Sequence, residues 1–299
     1  MQLKQLTKLS RLHKTDFRAV KNLLDRCLQH DGFRVKLYWN ILQNRLTQEF
    51  NDLFYFIDGN LAGYLALFTF EVDEAEISVM VHPKYRRRGI YKKLMAEAFL
   101  ELQQRRISKC LCICPRGSVI DENYLRPFQP EYVFSQIEMS TTKVPVFQDL
   151  PEVQLRLAQS TDLSLVARIG AAGFASSFSE ALQRFHENMQ EKNRKIWILS
   201  IPKHEAIGKI HVRYDENNTA FIHDLCILPE YRGKKYALAM ILDTMQMLHQ
   251  EGKKIFSLDV ECDNEGALKL YEKCGFKKVS AYDFWRVPMN HIPIAFRAT

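Results

Sequence analysis

One short pattern occurs twice in this chain, 146 residues apart, which restricts the fold to something built from two similar halves. The first copy reads Val81-His-Pro-Lys-Tyr-Arg-Arg-Arg-Gly-Ile-Tyr91 and the second Ile227-Leu-Pro-Glu-Tyr-Arg-Gly-Lys-Lys-Tyr-Ala237. Pro83 matches Pro229, Tyr85 matches Tyr231 and Arg86 matches Arg232. In each copy an apolar run precedes the pattern and a helix-like run follows it. A strand, a basic turn and a helix N-terminus in that order make a pyrophosphate cradle. The helix start offers unpaired N–H groups and the positive end of a dipole.

The repeat extends beyond the cradle. Thr15-Asp16 opens an apolar-periodic segment at Phe17, and Thr161-Asp162 opens another at Leu163 with the same spacing. Both read as helix starts. Gly63 and Gly208 read as points where a hairpin turns into a strand. Ala75–Val81 pairs with Ala220–Ile227 with a one-residue slip. A repeat this long is a domain duplication, not a solenoid.

Each half reads as strand, helix or helices, hairpin strands, long strand, basic turn, helix, strand, helix and closing strand. The fold class is α+β with a mixed sheet. In the second half the spacing predicts a helix over 237–249, a strand over 254–261, a helix over 265–274 ended by Gly275, and a closing strand over 281–287. The expected division is an N-terminal domain over 1–143, a linker over 144–151 holding Pro145 and Pro151, a C-terminal domain over 152–290, and a tail over 291–299 with little that predicts packing.

Composition narrows the function classes. The chain has 299 residues, 46% hydrophobic and 26% charged, as in an ordinary globular protein. The polar N-terminus does not read as a signal peptide. No apolar run reaches the ~20 residues that span a bilayer, so no membrane partner is expected. Seven cysteines without framework spacing favour reduced thiols and a cytoplasmic location. Cys110, Cys112 and Cys114 alternate on a strand-like run and read as buried thiols rather than metal ligands, so no metal is expected. The net charge of +7 suits a phosphate-bearing cofactor or an acidic partner. No nucleic-acid motif is present, and no nucleic-acid partner is expected.

The second half resembles the GNAT family of N-acetyltransferases across nearly its full length. The residues that carry the resemblance are Arg232-Gly-Lys-Lys-Tyr-Ala237 after Pro-Glu-Tyr, followed downstream by Asn264 and Leu270-Tyr271-Glu-Lys-Cys-Gly275-Phe276. The resemblance implies acetyl-CoA as cofactor and an amine acceptor, either a protein or a small molecule. It puts the pyrophosphate over Arg232, Gly233, Lys234, Lys235, Tyr236, Ala237 and Leu238, although Lys235 stands where the family usually has Gly. It implies a splayed strand at Leu225, Cys226 and Ile227 that meets the pantetheine arm. Asn264 would cap the last helix and touch the cofactor, and Tyr271 would be the general acid. Asp259 is the first candidate base, His223 the second and Asp224 the third.

In the first half, Val79, Val81, Arg86, Arg87, Arg88, Gly89, Ile90 and Tyr91 would form an equivalent cradle. There Ser118 falls at the Asn264 position and Leu125 at the Tyr271 position, so this half reads as a degenerate copy. The tandem layout resembles mycothiol-synthase-like proteins and VipF-like secreted effectors. The latter likeness implies a protein acceptor, a protein partner and possible export into a host. A non-catalytic scaffold that binds acetyl-CoA or protein is the alternative. The aromatics Phe147, Trp285 and Phe296 mark either packing or a partner surface.

Overall fold

The computed structural model describes residues 3–45, 48–70, 73–118, 124–174, 176–202, 206–215, 218–293 and 296. They form two compact units, one of residues 1–136 with 280–299 and the other of residues 137–279. Among the described residues, no helix is long and apolar enough to cross a membrane.

The first unit contains strands β1 (Lys4–Leu9), β2 (Asp52–Ile57), β3 (Asn60–Thr69), β4 (Glu74–Val81) and β5 (Lys109–Pro115), and helices α1 (Lys14–Asp31), α2 (Trp39–Asn44) and α3 (Ile90–Gln104). Its sheet runs β1-β2-β3-β4-β5-β12, where β12 is Lys277–Pro288. The side of the sheet carrying Phe54, Tyr64 and Phe68 packs against Val20, Leu23, Leu24 and Cys27 of α1. The opposite side packs Leu53, Leu65 and Ile77 against Leu94, Met95, Ala98 and Phe99 of α3. Cys110, Cys112 and Cys114 are buried on this second side, as the alternation predicts.

The second unit contains β7 (Gln154–Leu157), β8 (Arg194–Ser200), β9 (Ala206–Tyr214), β10 (Thr219–Ile227) and β11 (Ile255–Glu261) in that spatial order, followed by the end of β6 (Glu131–Thr141). Helices α4 (Leu163–Phe174) and α5 (Phe178–Gln190) cover one side. Helices α6 (Tyr236–Gln250) and α7 (Glu265–Lys273) belong to the core on the other.

The compact units do not follow the repeat boundary. The closing strand expected in the second copy pairs with β5 instead, from Tyr282 opposite Pro115 to Pro288 opposite Lys109. Tyr282 and Phe284 are buried there against Leu111 and Ile113. Conversely, Met139 of β6 is buried in the core of the second unit, and Ser140 Oγ donates to the Phe256 carbonyl at 3.0 Å. Within the expected linker, Val144 and Leu150 pack on that same core. Two described residues of the tail pack as well. Ile292 is buried, and Phe296 meets Phe128 at 4.8 Å between ring centroids. Of the three singled-out aromatics, Trp285 and Phe296 are packing residues, while Phe147 is 38% exposed.

The helix starts also differ in detail from the expected ones. His13 and Gln159 are the residues preceding the first turns. Asp16 and Asp162 sit three residues later and accept their backbone N–H groups at 2.7 and 2.8 Å. Gly63 and Gly208 lie inside β3 and β9 rather than at hairpin tips, opposite Val81 and Ile227. A Cβ on Gly208 would come within 2.6 Å of Ile227 Cδ1 and 2.8 Å of the Cys226 carbonyl, so the position excludes a side chain.

Candidate active site

The one-residue slip between the copies is a β-bulge. In the first unit, β3 and β4 pair without interruption, with Leu65 opposite Val79 and Ala66 opposite Ser78. In the second, the ladder shifts between His223 and Cys226, so Asp224 and Leu225 together face one partner position on β9. Asp224 takes a left-handed backbone with φ 49°. A bulge leaves backbone groups outside the ladder. Leu225 lies beside these groups, next to Cys226 and Ile227.

On its other edge, β10 pairs in parallel with β11 only from Thr219 opposite Ile255 to Phe221 opposite Ser257. Beyond that point the pairing stops and the two strands separate. In the first unit, β4 and β5 likewise pair only as far as Ile77 opposite Cys112. Both units therefore carry the splay, and only the second carries the bulge.

The basic turn follows. Gly233 has φ 76° and Lys235 has φ 63°, and Lys235 is the residue that precedes α6. In the first unit the same two positions are Arg87 at φ 61° and Gly89 at φ 75°. The turn needs two left-handed residues, and each copy supplies glycine at only one of them. Lys235 thus adopts the backbone of the glycine it replaces, at the cost usual for a side chain in this region.

The first helical bond of α6 runs from Ala239 N–H to the Lys235 carbonyl at 3.0 Å. The N–H groups of Tyr236, Ala237 and Leu238 have no acceptor four residues back and point out of the helix start. A recess of about 250 Å³ lies there, lined by Gly233, Lys235, Tyr236, Ala237 and Leu238 and, from α7, by Lys269 and Lys273. Three lysines around a helix N-terminus fit a polyphosphate.

Arg232 also lines this recess, and both it and Lys234 bond to carbonyls of the protein itself. Arg232 Nε donates to the Ile227 carbonyl at 3.1 Å, and its Nη2 donates to Gly173. Its own backbone N–H bonds to Pro229. Arg86 grips the Val81 carbonyl in the same way and chelates Asp31 with both terminal nitrogens. Both arginines brace the turn against the strand, which explains the repeat of this residue. Lys234 folds back, donating to the Glu230 carbonyl at 3.2 Å over the Tyr231 ring. Arg88 sits over the Tyr85 ring. Ile90 is buried, and Val79 and Val81 pack on the same core of the first unit.

Asn264 precedes α7, and its side chain accepts the Ala267 N–H at 3.1 Å, so the expected cap is formed. Tyr271 sits in the last turn of α7. Burial pushes its phenol up to about 12, with a smaller contribution from Cys274. In the first unit, Leu125 at the matching position is buried in the core, and part of the preceding segment, 119–123, lies outside the described residues. Tyr91 stands where the second unit has Ala237. Burial holds its phenol well above the ordinary value, next to Cys112, Cys114 and Cys110. Tyr124, which a shift of register would bring to the acid position, packs its ring 5.1 Å from Tyr91.

On the α4 side of the second sheet, His211, His223 and Asp224 each bring one donor atom within 4.8 Å of the others. Lys209 already supplies a positive charge there, with Nζ 3.0 Å from His211 Nε2 and 4.0 Å from Asp224 Oδ2. His223 and His211 are held well below the ordinary imidazole range, first by burial. Asp259 lies on β11 two residues past the last paired position, half-buried. Cys226 turns its thiol to the Ile169 carbonyl, and burial raises it to about 11. The sequence reading missed Lys209, His211, Lys269 and Lys273. The last two lie four apart on either side of Tyr271, a spacing that puts them on one face of the helix.

The Acetyltransferase (GNAT) family matches residues 17–116 and again residues 164–276. The chain is 28% identical over 104 residues to the uncharacterized N-acetyltransferase YycN of Bacillus subtilis (strain 168), a match over 34% of this chain. It spans 65% of the length of that curated relative. Among solved structures it is similar to a GCN5-related N-acetyltransferase from Sphaerobacter thermophilus, with a TM-score of 0.78 at 16% identity over 96% of both chains. A tandem GNAT protein from the clavulanic acid biosynthesis pathway matches at TM-score 0.69 and 14% identity, over 96% of this chain and 99% of that one. At such identities the likeness is one of fold. With the family matched twice over most of its length, the chain belongs to the GNAT acetyltransferase family and carries two copies of its fold.

Proposed function

We propose that this chain is an acetyl-CoA-dependent N-acetyltransferase whose chemistry lies in the second unit. One observation carries the reading. The bulge, the splay, the helix start with its lysine-lined recess, and Tyr271 all occur together in that unit.

Acetyl-CoA supplies the acetyl thioester. Its phosphates fit the N–H groups of Tyr236, Ala237 and Leu238 with Lys235, Lys269 and Lys273 around them. Backbone groups of Leu225 at the bulge orient the pantetheine arm. Asn264 holds the start of α7 so that its other end presents Tyr271. The Tyr271 phenol gives its proton to the departing thiolate, and its raised pKa keeps it protonated for that role. The amine's proton leaves toward the face that carries Asp259, His223 and Asp224.

The acceptor we assign to primary amines on a peptide or protein. Asp224 is 42% exposed, and the rings of Phe174 and Phe178 on the same side are about half exposed, as an open peptide-binding face requires. A small amine is the alternative acceptor. In the first unit Tyr91 replaces Ala237 and packs on the core beside Tyr124, and Leu125 stands at the acid position, so we assign that unit no acetyl-CoA.

Titration calorimetry with acetyl-CoA tests the assignment. The expected result is one site on the whole chain, lost in Lys235→Glu/Lys273→Glu. A second site that survives this change would place a working cradle in the first unit. No binding at all would sink the enzyme reading.

A further inference from the structure

The second unit contains a buried polar row that the fold does not need. Lys209 and His211 sit on β9, and their side chains have 6% and 1% of their surface exposed. At the same ladder positions in the first unit stand Tyr64 and Ala66. Lys209 Nζ lies 3.0 Å from His211 Nε2, and His211 Nδ1 lies 3.2 Å from Asp224 Oδ2. The row thus runs from a buried ammonium, through an imidazole, to a carboxylate that opens to solvent. An ammonium has only protons to give, so His211 Nε2 is the acceptor. In the neutral ring the remaining proton is then on Nδ1, which lies close to Asp224 Oδ2 but off the line of a hydrogen bond, so the contact is electrostatic. The carboxylate reaches this place only because the bulge turns residue 224 into the left-handed region.

We propose that Asp224 is the base that takes the acceptor amine's proton, and that Lys209 and His211 are positioning residues that hold its carboxylate in place. This rests on the acetyltransferase reading above. The acceptor R–NH3+ gives one proton to Asp224, which releases it to solvent. The freed nitrogen lone pair forms the N–C bond to the acetyl carbon, and the C–S electron pair leaves on sulfur. Sulfur gains a proton from Tyr271, and the nitrogen's second surplus proton replaces it.

The surroundings favour Asp224 over its neighbour on the same strand. His223 is enclosed by burial and by the positive charges of Arg194, Arg213 and Lys209, so an imidazolium there is disfavoured. Arg194 is paired with Glu191 on its own side, and Arg213 with Asp215. Lys209 also sits 5.5 Å over the Phe174 ring, which fixes the buried end of the row. The charged and titratable groups around Asp224 are Lys209, His211, His223 and Cys226, with Arg194 and Arg213 acting on the two histidines, Arg232 on Cys226, and Asp259 on β11.

The test uses the whole chain and follows thiol release from acetyl-CoA with polyamines, amino sugars, amino acids and lysine-containing peptides. The fastest acceptor is then used throughout. Asp224→Asn keeps the shape and tolerates the left-handed backbone. It is expected to lower kcat/KM by about 10²-fold or more with acetyl-CoA affinity unchanged. Lys209→Met is expected to lower kcat by about 10-fold with the KM for acetyl-CoA unchanged, because the carboxylate loses the cation that holds it. Lys209→Arg keeps the charge and should recover the rate. A role in packing alone lowers stability and leaves kcat unmoved.

Wild-type turnover in Asp224→Asn, or a kcat that ignores the charge at 209, overturns this inference and leaves the acetyltransferase reading standing. A wild-type chain that turns over no amine overturns both. Where Lys209→Met loses its cooperative melt, Asp224→Asn against Asp224→Glu decides. Retention of rate in the Asn variant overturns the proposal, and loss in Asn with partial recovery in Glu supports it.

Discussion

The Phe276 backbone N–H bonds to the Tyr271 carbonyl at 3.0 Å, and the two rings lie 6.0 Å apart. Gly275 adds a bond from its N–H to Glu272 at 2.9 Å and has φ 84°. This is the paired closure of a helix end with its apolar contact. It accounts for the spacing of Leu-Tyr-x-x-x-Gly-Phe, because the motif is a helix stop that fixes the ring of Tyr271.

Tyr271→Phe keeps that contact and removes only the hydroxyl. Thiol release should fall about 10²-fold or more, with acetyl-CoA affinity retained in calorimetry. The sign of the pH effect follows from a phenol raised to about 12. The group stays protonated through pH 10, so its own titration produces no alkaline loss of rate below that point.

Gly275→Ala should destabilise the second unit by about 1–2 kcal/mol, the cost of a side chain in the left-handed region. The added Cβ meets only Thr141 Oγ1 at 3.7 Å, an ordinary contact, so the penalty is conformational. Thermal unfolding measures it. The rate should fall as well, because the same closure fixes Tyr271.

The two turns exchange their glycines, and this gives a paired test. Arg87→Gly should raise stability by up to about 1 kcal/mol without changing acetyl-CoA binding. Lys235→Gly should raise stability similarly but weaken acetyl-CoA, because a recess-lining charge is lost. Equal affinity in Lys235→Gly and wild type would mean that the lysine does not contact phosphate.

Cutting the chain at the repeat boundary should unfold both pieces. A chain ending at residue 143 lacks the strand that pairs with β5 from Tyr282 to Pro288. A chain starting at 152 lacks Met139, Val144 and Leu150, which belong to the other core. Neither piece should show a cooperative melt. A cooperative transition in either would show that its core closes without the exchanged segment.

Much of the site was legible in the chain because its motifs are local. The turn and α6 follow from a run of glycine and lysine before an apolar helix, and Asn264 and Gly275 announce the two ends of α7 through short-range hydrogen bonds. The repeat likewise fixed the order of elements. The tertiary structure decided the rest. Which core receives β12 and the end of β6 depends on long-range strand pairing, which leaves no mark on spacing. That Arg232 and Arg86 brace the strand end depends on carbonyls five residues back and on neighbouring helices. The one-residue slip was visible in the alignment of the halves. Only the ladder shows that it is a bulge, and that the bulge brings Asp224 to His211 and Lys209 on the adjacent strand.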